Sequence, residues 1–181
     1  MQALVPFVSE AVGLDLAENM VEEYNKWARE NGFGPQRMSA YQCDLLAEPD
    51  TTTAGEKHEE SSDFDIIAVS MALHHVANPG LLLQRFAKRL QAKAGVCVVL
   101  DMVPTGSNTL DLDGADMSDE LRTVLKTVNQ HGFTEEEMRR LYEAAGLGKN
   151  FEYVVIDHPF EFTMFGQRVH ITGFIARGEL A

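Results

Sequence analysis

The sequence predicts an α/β protein built on a mostly parallel sheet that finishes in antiparallel strands. Three observations carry this. Strand-like and helix-like patterns alternate through the first hundred residues. Two of the strand patterns, Phe64 to Val69 and Val96 to Leu100, are almost unbroken apolar runs, the pattern of parallel strands covered on both faces. Two further β-rich runs then follow one another at the C-terminal end with no helix between them, and without a crossover they can pair only antiparallel.

The elements read in order. Ala11-Val12-Gly13-Leu14-Asp15 is a first short strand. Met20, Tyr24, Trp27 and Ala28 fall at i, i+4, i+7 and i+8, one stripe of a helix that Gly32 stops. Ser39 to Cys43 is the second strand and Phe64 to Val69 the third. Leu83, Phe86, Ala87 and Leu90 repeat the helical stripe, with Asn78 as N-cap and Pro79 at the first helical position. Val96 to Leu100 is the fourth strand. Thr134-Glu135-Glu136-Glu137 is a capping box, followed by the stripe Met138, Leu141, Tyr142 and Ala145 and by Gly146. Phe151 to Ile156 and Val169 to Ala176 form the expected antiparallel pair. Residues 48–63 and 104–116 are polar and read as solvated loops. With 181 residues and no repeat or linker, residues 1–181 are expected to form one domain.

Fifteen Lys and Arg against 28 Asp and Glu give a formal net charge of −13. Such a surface repels phosphate backbones and anionic lipid, which disfavours nucleic-acid binding and charge-driven membrane docking. No apolar run reaches the roughly 20 residues of a membrane span, and residues 1–8 lack the basic start of a secretory signal. Cys43 and Cys97, both inside apolar runs, read as buried thiols rather than a disulfide. The expectation is a cytoplasmic protein.

Chemistry concentrates at strand ends. Asp15 and Asp44 each close a strand, and an acid at the C-terminal edge of an open α/β sheet commonly accepts hydrogen bonds from ribose hydroxyls. The competing role is a turn or helix-start aspartate. Asp101 ends the fourth strand in the same way. His74 and His75 follow the third strand, and either imidazole is a candidate general base. In extended chain adjacent side chains point oppositely, which argues against a shared metal. No metal site is expected. Asp111, Asp113 and Asp116 suggest calcium, but Gly114 falls too early for an EF-hand, so a solvated acidic loop is the better reading. A Rossmann-type reductase would need a Tyr-x-x-x-Lys pair. Here Tyr24 is followed by Ala28 and Tyr142 by Gly146.

In order and spacing, these segments resemble the class I S-adenosylmethionine-dependent methyltransferases, especially the small-molecule branch that includes the ubiquinone and menaquinone biosynthesis enzymes. The resemblance runs through Val12 to Met20, Cys43-Asp44-Leu45, Phe64-Asp65-Ile66-Ile67, the His74-His75 loop, Leu90 to Asp101, His131 to Met138 and Ala144 to Leu147. It implies a Rossmann-like fold, S-adenosylmethionine as cofactor and a small-molecule methyl acceptor. It also implies that Asp15, with Leu16 beside it, holds the ribose hydroxyls. Asp44 would read the adenine amino group between Cys43 and Leu45, Ser70 and Met71 would border the methionine moiety, and His74 and His75 would lie near methyl transfer.

One departure is plain. The family opens with a strand and a loop of the form Asp/Glu-x-Gly-x-Gly-x-Gly, and nothing in the 181 residues corresponds to it. Residues 1–8 look like the tail of the helix after that loop, and Ala17 stands where a serine is frequent. The expectation is an N-terminally truncated methyltransferase domain, impaired in cofactor binding, whose central vacancy an oligomeric partner would cover. The alternatives are a non-catalytic binding or assembly protein, and a pocket turned to other chemistry.

Overall fold

A computed structural model describes residues 2–47, 63–104, 128–164 and 167–181. The loop expectations for residues 48–63 and 104–116, and the acidic cluster Asp111, Asp113 and Asp116, fall almost wholly outside these residues. The chain divides into two compact units, residues 1–61 and 62–181.

The first unit opens with a 3-10 helix, Gln2–Phe7. Where an α-helical tail was expected there is this tighter helix, with Pro6 inside it. Strand β1 (Ala11–Asp15) pairs in parallel with β2 (Met38–Gln42), and α1 (Glu18–Glu30) packs against both. Parallel neighbours need a crossover, which α1 supplies. Ala28 is buried as the helical stripe requires, whereas Met20 at the other end of that stripe is 55% exposed. Asn25 on α1 reaches the backbone of Ala40. Its Oδ1 accepts from the Ala40 amide and its Nδ2 donates to the Ala40 carbonyl, each at 2.9 Å. These bonds satisfy peptide groups of β2 that β1 does not use.

The second unit holds a four-stranded sheet in the order β3-β4-β8-β5. Its strands are β3 (Ile66–Ser70), β4 (Val96–Met102), β5 (Lys149–Val155) and β8 (Gly173–Glu179). β3 and β4 are parallel, and β8 inserts antiparallel between β4 and β5. The fold is thus mixed α/β, with parallel strands joined by a C-terminal antiparallel pair, as the sequence predicts. A separate hairpin of β6 (Phe160–Met164) and β7 (Gln167–Ile171) was not foreseen. The run Val169 to Ala176, expected as one strand, divides between β7 and β8 at Thr172. There the Thr172 carbonyl accepts from Val103 and the Gly173 carbonyl from Ile156, each at 2.9 Å, and the chain changes sheets.

Helices α2 (Pro79–Ala87) and α3 (Glu135–Ala144) complete this unit. Cys97, Val99, Asp101, Phe174 and Ala176 alternate onto one face of the sheet and are buried. Leu83 and Phe86 of α2, and Met138 and Tyr142 of α3, are buried too. The opposite face is more open, since Ile66, Val154 and Ile175 are all at least 40% exposed. β3 is therefore not covered on both faces as its apolar run suggested. Among the described residues it pairs with β4. Both cysteines are buried, and burial pushes the Cys97 thiol up to about 12.

The predicted helix starts are present. The Asn78 side chain accepts from the Leu81 amide at 3.0 Å. Thr134 and Glu137 form the reciprocal box: Glu137 N donates to Thr134 Oγ1 at 3.2 Å and Thr134 N to Glu137 Oε2 at 2.8 Å. The backbone and hydroxyl of Thr134 both donate to the Glu137 carboxylate and hold its pKa below the ordinary value. A carboxyl whose folded pKa is depressed stabilises the fold above its unfolded pKa and loses that contribution as pH falls through the folded value. Acidification from pH 5 towards 3 is therefore expected to weaken wild type more than Glu137→Gln. Urea midpoints across that range measure the difference, and parallel pH slopes would refute it.

Candidate functional site

In the first unit, Asp15 and Asp44 stand at the same, C-terminal end of two adjacent parallel strands. The register pairs Asp15 with Gln42, two residues before Asp44. Two bonds tie the strand tips together: Cys43 N donates to the Asp15 carbonyl and Gln42 Nε2 to the Leu16 carbonyl, each at 3.0 Å. Each carboxylate also closes its own turn. Asp15 Oδ1 accepts from Ala17 N at 2.8 Å and Asp44 Oδ1 from Leu46 N at 2.9 Å. For Asp15 this bond substitutes for a cap, because Ala17, the N-cap of α1, has no side chain able to provide one.

Both turn roles and a ligand role are compatible. Asp15 and Asp44 are exposed, and among the described residues neither Oδ2 accepts a hydrogen bond. Carboxylates accept without donating, so these two oxygens suit hydroxyl or amino donors of a ligand. Leu16 is 65% exposed beside them, Cys43 is buried and Leu45 is half-buried. A cleft of about 320 Å³ elsewhere in the unit is lined by Val5, Pro6, Trp27, Asn31 and Phe33 and contains neither acid.

In the second unit, the tip of β3 carries Ser70, exposed, and Met71, half-buried. Met71 adopts φ +50°, a left-handed conformation that costs a non-glycine residue on the order of 1 kcal/mol, and it turns the chain off the sheet. Its amide still donates to the Leu100 carbonyl at 2.8 Å. A 3-10 turn, Leu73–His75, follows at once. This turn corrects the expectation drawn from extended chain: the His74 and His75 rings face each other with centroids 4.0 Å apart.

The two histidines differ sharply in environment. His74 is 5% exposed and its Nδ1 lies 2.8 Å from Oδ1 of Asp101, which is fully buried. Asp101 also accepts from the His74 amide at 3.2 Å and from the Met102 amide at 2.7 Å. His75 is exposed. From the other side, the Asn129 and Gln130 amides donate to the His74 carbonyl at 2.9 and 3.1 Å, and the Asn129 side chain donates to the His75 carbonyl. Sequence reading noted Asp101 as a strand-end acid but did not join it to His74, 27 residues away, and Asn129 gave no signal. Among the described residues no group of three or more His, Cys, Asp or Glu could hold a metal, and no helix is long and apolar enough to cross a membrane.

Comparison with known proteins extends the picture. Residues 3–146 match a family described as a methyltransferase domain. An uncharacterized methyltransferase of Schizosaccharomyces pombe is 28% identical over 146 residues, 81% of this chain but 48% of that protein. The chain thus spans about half the length of this curated relative. Among solved structures, the YcgJ protein from Bacillus subtilis aligns over 99% of this chain and 86% of its own, with TM-score 0.67 and 16% identity. A SAM-dependent methyltransferase from Anabaena variabilis covers 99% of this chain and 72% of its own, with TM-score 0.66 and 22% identity. Phosphoethanolamine N-methyltransferase 2 of Haemonchus contortus, solved with S-adenosyl-L-methionine, covers 99% and 45%, with TM-score 0.63 and 12% identity. At these identities the structural likeness is one of fold.

Proposed function

The chain belongs to the methyltransferase-domain family, and from that premise we propose that it serves methyl transfer from S-adenosylmethionine to a small-molecule acceptor. The observation that carries the reading is the pair Asp15 and Asp44, at one end of adjacent parallel strands, with one oxygen of each carboxylate uncommitted among the described residues. Asp15 would accept from the ribose hydroxyls beside Leu16. Asp44 would accept from the adenine amino group, with Cys43 and Leu45 flanking the ring. When bound, the cofactor supplies an electrophilic sulfonium methyl. On the family's pattern, Ser70 and Met71 would border the methionine moiety and the His74–His75 loop would lie near methyl transfer. The matched region, residues 3–146, runs into both compact units, which supports treating that stretch as part of one domain.

The 181 residues contain no Asp/Glu-x-Gly-x-Gly-x-Gly sequence. Such a loop lets backbone amides approach a ligand closely, so this chain by itself is proposed to bind the cofactor weakly. Calorimetric titration with S-adenosylmethionine is expected to give a dissociation constant above about 100 μM. That heat should vanish in Asp15→Asn and in Asp44→Asn, each of which places an amide donor where a ligand donor must arrive. Micromolar affinity would overturn the proposed impairment. Heat unchanged by either substitution would overturn the assignment of the acids. A second reading is a non-catalytic binding or assembly protein, alone or with a second subunit. No cofactor heat at millimolar concentration would support it. Incubation with methyl-tritiated cofactor and a deproteinised extract tests the acceptor class, since label is expected in small molecules rather than in macromolecules.

A further inference from the structure

We propose that Asp101 is a positioning residue that divides the labour of the adjacent histidines, locking His74 inside the fold and presenting His75 at the tips of β3 and β4. The two Asp101 oxygens face three donors: Met102 N and His74 Nδ1 on Oδ1, and His74 N on Oδ2. A carboxylate only accepts, so Nδ1 of His74 carries a proton and, in the neutral ring, Nε2 is left as an acceptor. The same residue thereby sets the ring's tautomer and, through the His74 amide, the path of the Leu73–His75 turn. Asn129 and Gln130 clamp the outer side of that turn. The His75 ring then rests against an immobilised imidazole, with centroids 4.0 Å apart, while remaining exposed.

An amide cannot replace this carboxylate. In one orientation of an asparagine its NH₂ group meets the His74 amide, and in the other it meets the Met102 amide, donor against donor in each case. The assignment of His75 as the imidazole that meets an acceptor molecule rests on the function proposed above. The Asp101 geometry does not.

Two measurements on the full 181-residue chain, without cofactor or acceptor, test the proposal. Long-range proton–nitrogen spectra of histidine-labelled protein should show His74 as the Nδ1–H tautomer alone. In Asp101→Leu, which leaves no acceptor facing His74 Nδ1, the His74 signals should move to the Nε2–H form or to a mixture. Carbethoxylation followed by peptide mass spectrometry should modify His75 at least about tenfold faster than His74 in wild type, a gap that opening of the turn in Asp101→Asn narrows. An Nε2–H tautomer for His74 in wild type, equal modification rates, an Nδ1–H tautomer that survives Asp101→Leu, or His74 protection that survives Asp101→Asn would overturn it. Both wild-type readings stand even if a variant does not fold. Because neither uses S-adenosylmethionine, their failure is separable from failure of the methyltransferase reading, which the cofactor titration decides.

Discussion

Gly132→Ala is expected to lower the stability of the second unit by about 2–5 kcal/mol. Gly132 sits at φ +109°, and an added Cβ would lie 2.6 Å from the Met102 carbonyl oxygen and 2.8 Å from both Pro104 N and the Val103 carbonyl carbon. All three are backbone atoms, which cannot swing aside as a side chain would. They belong to the chain just beyond Asp101, where the Met102 carbonyl also accepts from Phe133 N at 2.9 Å. Gly146→Ala is the matched control. Gly146 has φ +78° with nothing within 4 Å of an added Cβ, so it should cost only the left-handed backbone preference, about 1–2 kcal/mol. Urea unfolding of the two variants separates strain from collision. If Gly132→Ala is no less stable than Gly146→Ala, the close approach to Met102 and Pro104 is wrong.

Tyr142→Ala is expected to be comparably damaging, at about 3–5 kcal/mol. The ring is fully buried on α3 and meets Phe151 edge-on at 5.1 Å between centroids. Its hydroxyl donates to the Ala176 carbonyl at 3.2 Å, with the Cys97 carbonyl at 3.4 Å, so one side chain joins α3 to β8 and β4. Burial pushes this hydroxyl well above its ordinary pKa, and it stays protonated as a donor. Tyr142→Phe keeps the ring and removes only the hydroxyl, and should cost about 0.5–1.5 kcal/mol. Chemical denaturation of both variants partitions the contribution. A loss in Tyr142→Phe as large as in Tyr142→Ala would mean that the hydroxyl rather than the packed ring anchors the helix.

Much of the local structure was legible because its causes are local. The box at Thr134 and Glu137, the Asn78 cap with Pro79 behind it, and the stripe of α3 all depend on residues three or four apart. The strand Ala11–Asp15 was read with its observed limits. The placement of Asp15 and Asp44 at one sheet edge followed from two strands joined by one crossover helix. Where the reading failed, a distant partner decided. Met20 completes an apolar stripe yet is exposed, because periodicity specifies a face without specifying what covers it. The apolar run of β3 suggested cover on both faces, yet Ile66 is 54% exposed, because an apolar run does not specify what packs against it.

The amino-acid sequence by itself determined the class of fold, the order of its elements and the two strand-end acids from which a cofactor role is inferred. These follow from periodicity, capping and chain order, which act over a few residues. Tertiary structure alone decided that β8 inserts between β4 and β5, that the chain changes sheets at Thr172, and that Asp101 bonds His74 while His75 remains exposed. Those outcomes depend on donors and acceptors brought together across 27 or more residues. No pattern in one dimension encodes which buried carboxylate will meet which imidazole.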